Sequence, residues 1–155
     1  MRAPARWAVM AAIVAADRLA KLWVLRWLVP RRSVALVPFF SMTYVENTGA
    51  AFGMGFGRNT FFIWVSGILL LVILYLQSAW TRKSLWLQAG IVLVAGGAIG
   101  NLYDRFAYRY VVDFLDFHAG SFVWPAFNVA DSCVSIGGCY LGWGKWLEDR
   151  QNKTA

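Results

Sequence analysis

Cysteine and histidine, the side chains from which disulfide frameworks and most zinc sites are built, are scarce in this sequence. It holds two cysteines and one histidine. Cys133 and Cys139 stand six residues apart in the last apolar segment, and on a helix that spacing places them on different faces, which argues against a bond between them. His118 has no cluster of thiolates beside it, so a zinc site of the usual kind would have too few ligands. We therefore expect neither a disulfide nor a bound metal.

Charged side chains are also few, at 15% of the 155 residues, whereas 59% are hydrophobic and 17% aromatic. A composition this apolar is not that of an ordinary water-soluble domain, and it predicts a protein whose solvent is a lipid bilayer. A spanning helix needs about 20 mainly apolar residues, so four of them would use about half of the chain. The remainder leaves no room for a separate soluble domain, and we predict a single membrane domain over residues 1–155.

Apolar segments long enough to cross a bilayer occur at four places, residues 7–28, 60–80, 85–102 and 127–146. The second contains no charged residue and is the clearest of the four. The first follows a short basic stretch and could instead be a cleavable signal peptide. Because apolar residues resume after Lys21, the segment is long enough to span, and we expect a retained helix. The predicted fold class is an all-α membrane protein, a bundle of four transmembrane helices.

Two longer connections, residues 30–59 and 103–126, join the first segment to the second and the third to the fourth. Pro30 and Pro38 disfavour helix in the first connection, and residues 34–45 are rich in β-branched and aromatic side chains. We therefore predict a small extramembrane sheet there. The glycines that follow indicate a loop with close backbone approaches, and they are Gly49, Gly53, Gly55 and Gly57.

The net charge of +7 does not indicate a nucleic-acid partner, because the basic residues lie beside the apolar segments and form no patch interleaved with aromatics. They are more numerous at the termini and between the second and third segments than in the two longer connections. By the positive-inside rule, both termini are cytoplasmic and both longer connections are extracytoplasmic. The first group comprises Arg2, Arg6, Arg82, Lys83, Lys145, Arg150 and Lys153, and the second Arg31, Arg32, Arg58, Arg105 and Arg109.

Glycines four residues apart occur in the third and fourth apolar segments. They are Gly96 and Gly100 in the third, and Gly138 and Gly142 in the fourth. That spacing lets two helix backbones approach closely. We therefore predict that these glycines pack the helices together.

Acidic and amide side chains gather at the ends of the third and fourth segments, near the predicted outer surface. Asp131 stands about 6 Å below the start of its helix. A charged aspartate costs about 2.5–3.5 kcal/mol at the centre of a span and less near the interface, so Asp131 should face protein or a water-filled pocket. Asp113 lies in an apolar, β-branched run typical of a short strand. The whole cluster comprises Asn101, Asp104, Arg105, Asp113, Asp116, Asn128 and Asp131.

Two aspartates brought together in an apolar setting cannot both be ionised cheaply. One keeps its proton while the other acts as a base, the arrangement that activates water in an aspartic dyad. A structural interpretation stays open, because Asp131 could cap its helix and Asp104 could form an interfacial ion pair with Arg105. Asp17 and Lys21 share a helix face and can pair, and that pair could be functional or could serve only to neutralise itself.

Four motifs, occurring in the family's order, resemble those of the lipoprotein signal peptidases, the bacterial type II signal peptidases. Each motif alone is weak, but four in order, with four spans and the expected length, are specific. The likeness spans nearly the whole chain, no motif position departs from the pattern, and Asp17 and Lys21 match the polar positions of the family's first helix. The motifs are Asn47-Thr48-Gly49-Ala50-Ala51-Phe52, Gly96-Gly97-Ala98-Ile99-Gly100-Asn101-Leu102-Tyr103-Asp104-Arg105, Val111-Val112-Asp113-Phe114 and Phe127-Asn128-Val129-Ala130-Asp131-Ser132.

The resemblance implies an intramembrane aspartic endopeptidase of the bacterial inner membrane. Such an enzyme removes the signal peptide from diacylglyceryl-modified prolipoproteins by cutting on the N-terminal side of the lipidated cysteine. The resemblance further implies Asp113 and Asp131 as the catalytic dyad, no cofactor, a small extracytoplasmic β-structure over the site, contact with membrane lipid, and inhibition by the cyclic peptide globomycin. The residues implied to position substrate or support the dyad are Asn47, Gly49, Asn101, Asp104, Arg105, Asn128, Asp17 and Lys21.

A small proton-coupled carrier or channel component is the main alternative function, because buried carboxylates among spanning helices also mark ion paths. Carriers tend to place their site near the membrane midplane, often between paired halves, whereas this chain shows no internal repeat and gathers its acids at one end. A structural membrane subunit is a second alternative, but it would not explain why Asp113 and Asp131 occur together.

Overall fold

The computed structural model describes residues 1–49, 57–80 and 84–154, which form four helices and a small antiparallel sheet. Residues 50–52 of the first motif, two glycines of the predicted loop (53 and 55) and the basic pair at 82 and 83 lie outside the described residues. The helices are α1 (Ala3–Trp27), α2 (Asn59–Trp80), α3 (Leu85–Tyr108) and α4 (Val129–Thr154). The strands are β1 (Ser33–Val37), β2 (Phe40–Asn47), β3 (Val111–Ala119) and β4 (Phe122–Val123).

Local chemistry accounts for several helix ends. Pro4 lies in the first turn of α1, where backbone N–H groups have no helical acceptor in any case. The Ser84 hydroxyl accepts a hydrogen bond from the Trp86 N–H and so caps α3. At the other end of α3, Arg109 takes a left-handed conformation with φ 70°. This helix therefore continues through Tyr108, and part of the connection predicted at 103–126 is helical.

The sheet forms where the sequence predicted it and is larger than predicted. Its strand order is β1-β2-β3-β4, with every neighbouring pair antiparallel. Pairing of β2 with β3 places Val45 opposite Asp113 and Asn47 opposite Val111. The first long connection therefore lies directly beside the strand that carries Asp113.

An apolar cluster ties this sheet to the first helix. Val24 of α1 and Leu28, which follows directly at its C-terminal end, pack with Val112 and Phe114 of β3, and all four side chains are buried. Full burial of each such side chain contributes about 1.5–3 kcal/mol. Since Val112 and Phe114 flank Asp113, this packing fixes the strand on which the aspartate lies.

The third helix is the centre of the bundle and contacts each of the other three. Much of α3 is buried, whereas α2 exposes most of its side chains. By length and composition, Asn59–Gln77 and Leu85–Tyr108 are the two described helical segments that could cross a membrane. The other two helices are less apolar on average, so this criterion supports two of the four predicted spans.

Close approach of α1 to α3 depends on the glycines predicted in α3. A Cβ added to Gly96 would lie 3.0 Å from Ile13, and one added to Gly100 would lie 2.6 Å from Oδ2 of Asp17. Both distances are shorter than ordinary van der Waals contact. The packing role predicted for Gly96 and Gly100 is therefore confirmed.

The same prediction is wrong for Gly138 and Gly142. A Cβ at either position would meet no atom within 4 Å, so these glycines face open space. Two other glycines of α4 meet α3: a Cβ at Gly137 would lie 2.8 Å from the Gly90 carbonyl oxygen, and one at Gly144 would lie 3.0 Å from the Leu87 side chain. Spacing alone did not reveal which face of α4 turns toward its neighbour.

Candidate active site

Asp113 and Asp131 line one cavity of about 750 Å³ at the end of the helix bundle that carries the sheet. Asp113 comes from β3 and Asp131 from the first turn of α4. Asp113 is 1% exposed, whereas Asp131 is partly exposed. The two aspartates that the sequence singled out are therefore brought to the same site.

Backbone hydrogen bonds explain why a strand and a helix start meet here. The Phe127 carbonyl accepts from the N–H groups of Phe114 and Leu115, at 3.0 and 2.8 Å, and the Phe127 N–H donates to the Leu115 carbonyl. This isolated bridge pins the residue before Asn128 to β3. The first turn of α4 consequently begins beside the strand that carries Asp113.

The Asp113 carboxylate accepts two hydrogen bonds from amide side chains. Nδ2 of Asn47 donates to Oδ2 at 2.8 Å, and Nδ2 of Asn128 donates to Oδ1 at 2.7 Å. Burial, and next the charge of Asp131, raise the pKa of Asp113 to about 7, while the two amides and Lys21 oppose the rise. Both protonation states of Asp113 are therefore accessible near neutral pH, as a general acid or base requires.

Asp131 uses its two oxygens differently. Nδ2 of Asn101 donates to Oδ1 at 2.7 Å. The backbone N–H of Asn128 donates to Oδ2 at 3.2 Å, and the N–H of Asp131 donates in return to Oδ1 of Asn128 at 2.9 Å. This reciprocal pair is a capping box, so the capping interpretation of Asp131 is also correct. One oxygen caps the helix while the other faces Asn101.

Asn128 is the residue that connects the two aspartates. Its side chain is fully buried, and besides bonding Asp113 its Nδ2 lies 3.1 Å from Oδ1 of Asn101 and 3.3 Å from the Val112 carbonyl oxygen. The same side chain caps α4 through Asp131. Movement of Asn128 would therefore disturb both carboxylates at once.

A layer of buried charges lies beneath the dyad. The predicted Asp17–Lys21 pair is confirmed at 2.8 Å, and Oδ1 of Asp17 also accepts from the Ala130 N–H at 2.9 Å. Nζ of Lys21 further contacts Oδ2 of Asp104 at 2.9 Å and donates to Oδ1 of Asn101 at 3.0 Å. The pair is thus bonded to α3 and α4 and does not only neutralise itself.

Asp104 does not form the ion pair with Arg105 that the sequence left open. Asp104 pairs with Arg18 at 2.8 Å and with Lys21, and its Oδ2 accepts from the Val112 N–H at 3.2 Å. Adjacent residues on a helix point in different directions, so Arg105 faces elsewhere. Arg18, which also hydrogen-bonds the Tyr108 hydroxyl, is the partner that sequence reasoning missed.

Arg105 instead anchors the connection between β2 and α2. Its Nη2 donates to the Gly49 carbonyl at 2.6 Å, and its Nη1 donates to Oδ1 of Asn59 at 3.4 Å. The Gly49 N–H donates to Oδ1 of Asn47, whose Nδ2 holds Asp113. Gly49 and Arg105 therefore fix the orientation of an amide that bonds the dyad.

Asp116 is the one aspartate of the sequence cluster that lies apart from the site. Its Oδ2 accepts from the Thr43 hydroxyl at 2.8 Å, and it does not line the cavity. Asp113 and Asp116 are separated by three positions on a strand, so they point to opposite faces of the sheet. The closeness of Asp116 to Asp113 in the sequence therefore did not indicate a place in the cavity.

Polar and apolar residues both line the cavity. Its polar lining includes the dyad, Asn47, Asn101 and Arg105. Of the described residues, no three His, Cys, Asp or Glu side chains are grouped as metal ligands. Thr48, Val111, Phe127 and Ser132 of the sequence motifs also line the cavity. The wall residues outside the motifs are Val45, Glu46, Trp124, Pro125, Ala126, Val134, Ser135 and Ile136.

Comparison with known proteins gives consistent matches. A profile of the family described as signal peptidase II matches residues 9–146. The lipoprotein signal peptidase of Desulforapulum autotrophicum is 42% identical over 131 residues, covering 81% of each chain. That of Shewanella sp. strain MR-4 is 40% identical over 152 residues, covering 94% of this chain and 89% of the relative.

Two solved structures described as bacterial membrane enzymes share the fold. One has a TM-score of 0.84 at 30% identity and covers 97% of this chain and 92% of its own. The other has a TM-score of 0.76 at 30% identity and covers 90% of each chain. The similarity therefore extends over the helices and the sheet together.

Proposed function

This chain belongs to the signal peptidase II family, and we propose that it is an intramembrane aspartic endopeptidase acting on diacylglyceryl-modified prolipoproteins. It would cut on the N-terminal side of the lipidated cysteine and so release the signal peptide. The observation that carries this proposal is the convergence of Asp113 and Asp131 in one cavity, joined through Asn128.

The charges around the dyad favour a single shared proton. Four carboxylates and three cations lie together, and full ionisation would leave one uncompensated negative charge. A buried uncompensated charge is costly, whereas one proton on the dyad makes the cluster neutral. The acids are Asp17, Asp104, Asp113 and Asp131, and the cations are Arg18, Lys21 and Arg105.

One proton on two carboxylates provides a base and an acid together. The ionised carboxylate takes a proton from a water molecule as the water oxygen attacks the scissile carbonyl carbon, and the protonated carboxyl gives its proton to the carbonyl oxygen. As the tetrahedral intermediate collapses, the C–N bond breaks and the leaving amine takes a proton from the dyad. The donors on Asn47, Asn101 and Asn128 hold the carboxylates without titrating themselves.

We propose that all four helices span the inner membrane, with both termini in the cytoplasm and the sheet outside. The ionic side chains in the middle of α1 face the protein: Asp17 and Lys21 are buried against α3, and Arg18 pairs with Asp104. Its outward surface carries apolar side chains such as Leu19, Leu22 and Trp23. A helix whose charges face the bundle interior can therefore still present an apolar surface to lipid.

The cavity suits a substrate that is partly lipid. Val134 and Ile136 continue its wall along α4 beyond Asp131. Acyl chains would lie against such apolar walls, while the peptide passes the amide and carboxylate groups beneath β2. Globomycin, a cyclic peptide, would compete for the same cavity and inhibit cleavage.

A carrier function is less well supported. Among the described residues, the buried charged side chains collect at the sheet end of the bundle, and the ion pairs there are formed with other protein side chains. An ion path would need a continuing chain of polar groups across the membrane.

Cleavage of a diacylated prolipoprotein by purified protein in lipid tests the proposal. Asp113→Asn and Asp131→Asn should each lower kcat/KM by at least about 10²- to 10⁴-fold, because each removes a group that moves a proton. Asp116→Asn is the matched control, since Asp116 lies on the same strand outside the cavity, and it should cleave as the parent does. Parental turnover by either dyad variant would reject the assignment.

A further inference from the structure

Lys21 makes one contact that its burial does not require. Its ammonium group is 0% exposed, and three partners surround it, two of them carboxylates. Asp17 and Asp104 already compensate its charge, as a buried cation demands. The third partner, Oδ1 of Asn101, is neutral and needs no counter-charge. That contact instead constrains the asparagine.

The direction of the Asn101 amide follows from Lys21. An ammonium group only donates, so Asn101 must turn Oδ1 toward Lys21, and its NH₂ group then points to Oδ1 of Asp131 at 2.7 Å. A reversed amide would set NH₂ against ammonium and oxygen against carboxylate. Nδ2 of Asn128 also donates to Oδ1 of Asn101 and favours the same orientation.

Accordingly, we propose that Lys21 is a positioning residue that acts through Asn101 to orient Asp131 and to hold the negative charge of the dyad on it. This role rests on the proposed peptidase function and assigns to α1 a part in it. The positive charge polarises the Asn101 amide and makes its N–H a stronger donor to Asp131. Asp113, the other carboxyl, then holds the shared proton in the resting enzyme.

Charges on every neighbouring element act on the dyad, and a test must separate them from the contact with Asn101. Loss of Lys21 alone removes both a cation and a donor. Burial and neighbouring charge set the pKa of Asp113, and the Lys21 cation lowers it, so Lys21→Met should raise it. The charged groups that face the site are Asp17, Arg18 and Lys21 from α1, Glu46 from β2, Asp104 and Arg105 from α3, Asp113 from β3 and Asp131 from α4.

A charge-balanced double variant makes this separation. Asp17→Asn combined with Lys21→Met removes one charge of each sign, and the asparagine oxygen can still accept from the Ala130 N–H. The electrostatic effect on the dyad is then largely cancelled, while the hydrogen bond to Asn101 stays absent. Asp17→Asn alone completes the cycle and isolates the coupling between the two positions.

We expect Lys21→Met to lower kcat by about 10- to 100-fold, the range of a lost charge-assisted hydrogen bond, with a smaller change in KM. Its pH–rate profile should move to higher pH. In the double variant the profile should return toward that of the parent while kcat stays low. Lys145→Met, which breaks an exposed pair of the same spacing, should leave kcat and the profile unchanged.

Different failures point to different conclusions. If the double variant regains the parental kcat, Lys21 acts only through its charge or its effect on folding, and the positioning role is overturned. If the double variant does not fold, which a thermal melt in detergent would reveal, Lys21 is structural and the inference also fails. If Asp131→Asn cleaves as the parent does, the peptidase mechanism itself is wrong.

Discussion

A lysine and an aspartate four residues apart form an ion pair in α1 and again in α4. Nitrogen–oxygen distances are 2.8 Å for Lys21–Asp17 and 2.9 Å for Lys145–Asp149. The side chains are 0% and 1% exposed in α1, but 62% and 53% exposed in α4. Geometry within the pairs is nearly the same, so the difference in burial decides what each pair can do.

The buried pair belongs to a connected polar network, and the exposed pair lies in solvent. An exposed pair is screened by water and salt and contributes little to stability. Lys21, by contrast, reaches Asn101 and, through it, Asp131. We infer that a single substitution at the sheet end of the bundle alters activity through several linked residues, whereas one at the far end of α4 has little effect.

The largest effect of this kind is expected at Asn128, the amide shared by both aspartates. Asn128→Ser keeps a good helix cap but loses the donor to Asp113, and Asn128→Ala loses both. Each variant should lower kcat by about 10- to 100-fold, because a hydrogen bond to a charged group is lost. Asn128→Ala should also lose about 0.5–2 kcal/mol of stability beyond Asn128→Ser.

Kinetics of lipoprotein cleavage and chemical unfolding in detergent measure the two effects separately. Equal stability of the two variants would show that Asn128 does not cap α4. Full activity of Asn128→Ser would show that its bond to Asp113 has no catalytic importance. Asp149→Asn, at the exposed end of the same helix, is the matched control and should change neither quantity.

A second expected effect concerns the pH dependence of stability. Burial raises the pKa of Asp113 to about 7, well above the value near 3.9 of an unfolded chain. Between these values the folded state holds a proton that the unfolded state has lost, so stability falls as pH rises from about 4 to 7 and levels off above. Asp113→Asn removes this loss and should be more stable than the parent above pH 7, on the order of a few kcal/mol.

Unfolding of parent and Asp113→Asn between pH 4 and pH 8 tests this linkage. The difference in stability between them should grow with pH across that range. A difference independent of pH would mean that Asp113 titrates alike in both states.

Local sequence patterns predicted the features that depend only on nearby residues of the same helix or strand. Asp17 and Lys21 pair because four residues make about one helical turn, and Asp113 lies on a strand because its neighbours are β-branched. What spacing could not predict is orientation between elements. Asp104 turns toward Arg18 and away from Arg105, and long-range packing decides that choice. Their position at the ends of apolar segments drew attention to Asn101 and Asn128, and the family resemblance implied their supporting role.

The smallest of the expected effects distinguishes Gly100 from Gly138, two glycines for which the sequence predicted the same packing role. A Cβ at Gly100 would lie 2.6 Å from Oδ2 of Asp17, an oxygen held by Lys21. That oxygen cannot retreat without loosening the pair, so Gly100→Ala should cost about 1–3 kcal/mol, as overpacking does. At Gly138 no atom lies within 4 Å, and Gly138→Ala should instead stabilise α4 by up to about 1 kcal/mol through better helix propensity.

Thermal unfolding of the two alanine variants in the same detergent compares a crowded helix position, Gly100, with an open one, Gly138. Gly100→Ala should also lower kcat, because displacement of Asp17 is passed through Lys21 to Asn101. Equal and small stability changes at both positions would mean that α1 and α3 can separate without cost. The buried network would then be held by its hydrogen bonds alone, and the close helix crossing at Gly100 would have no part in aligning Asp131.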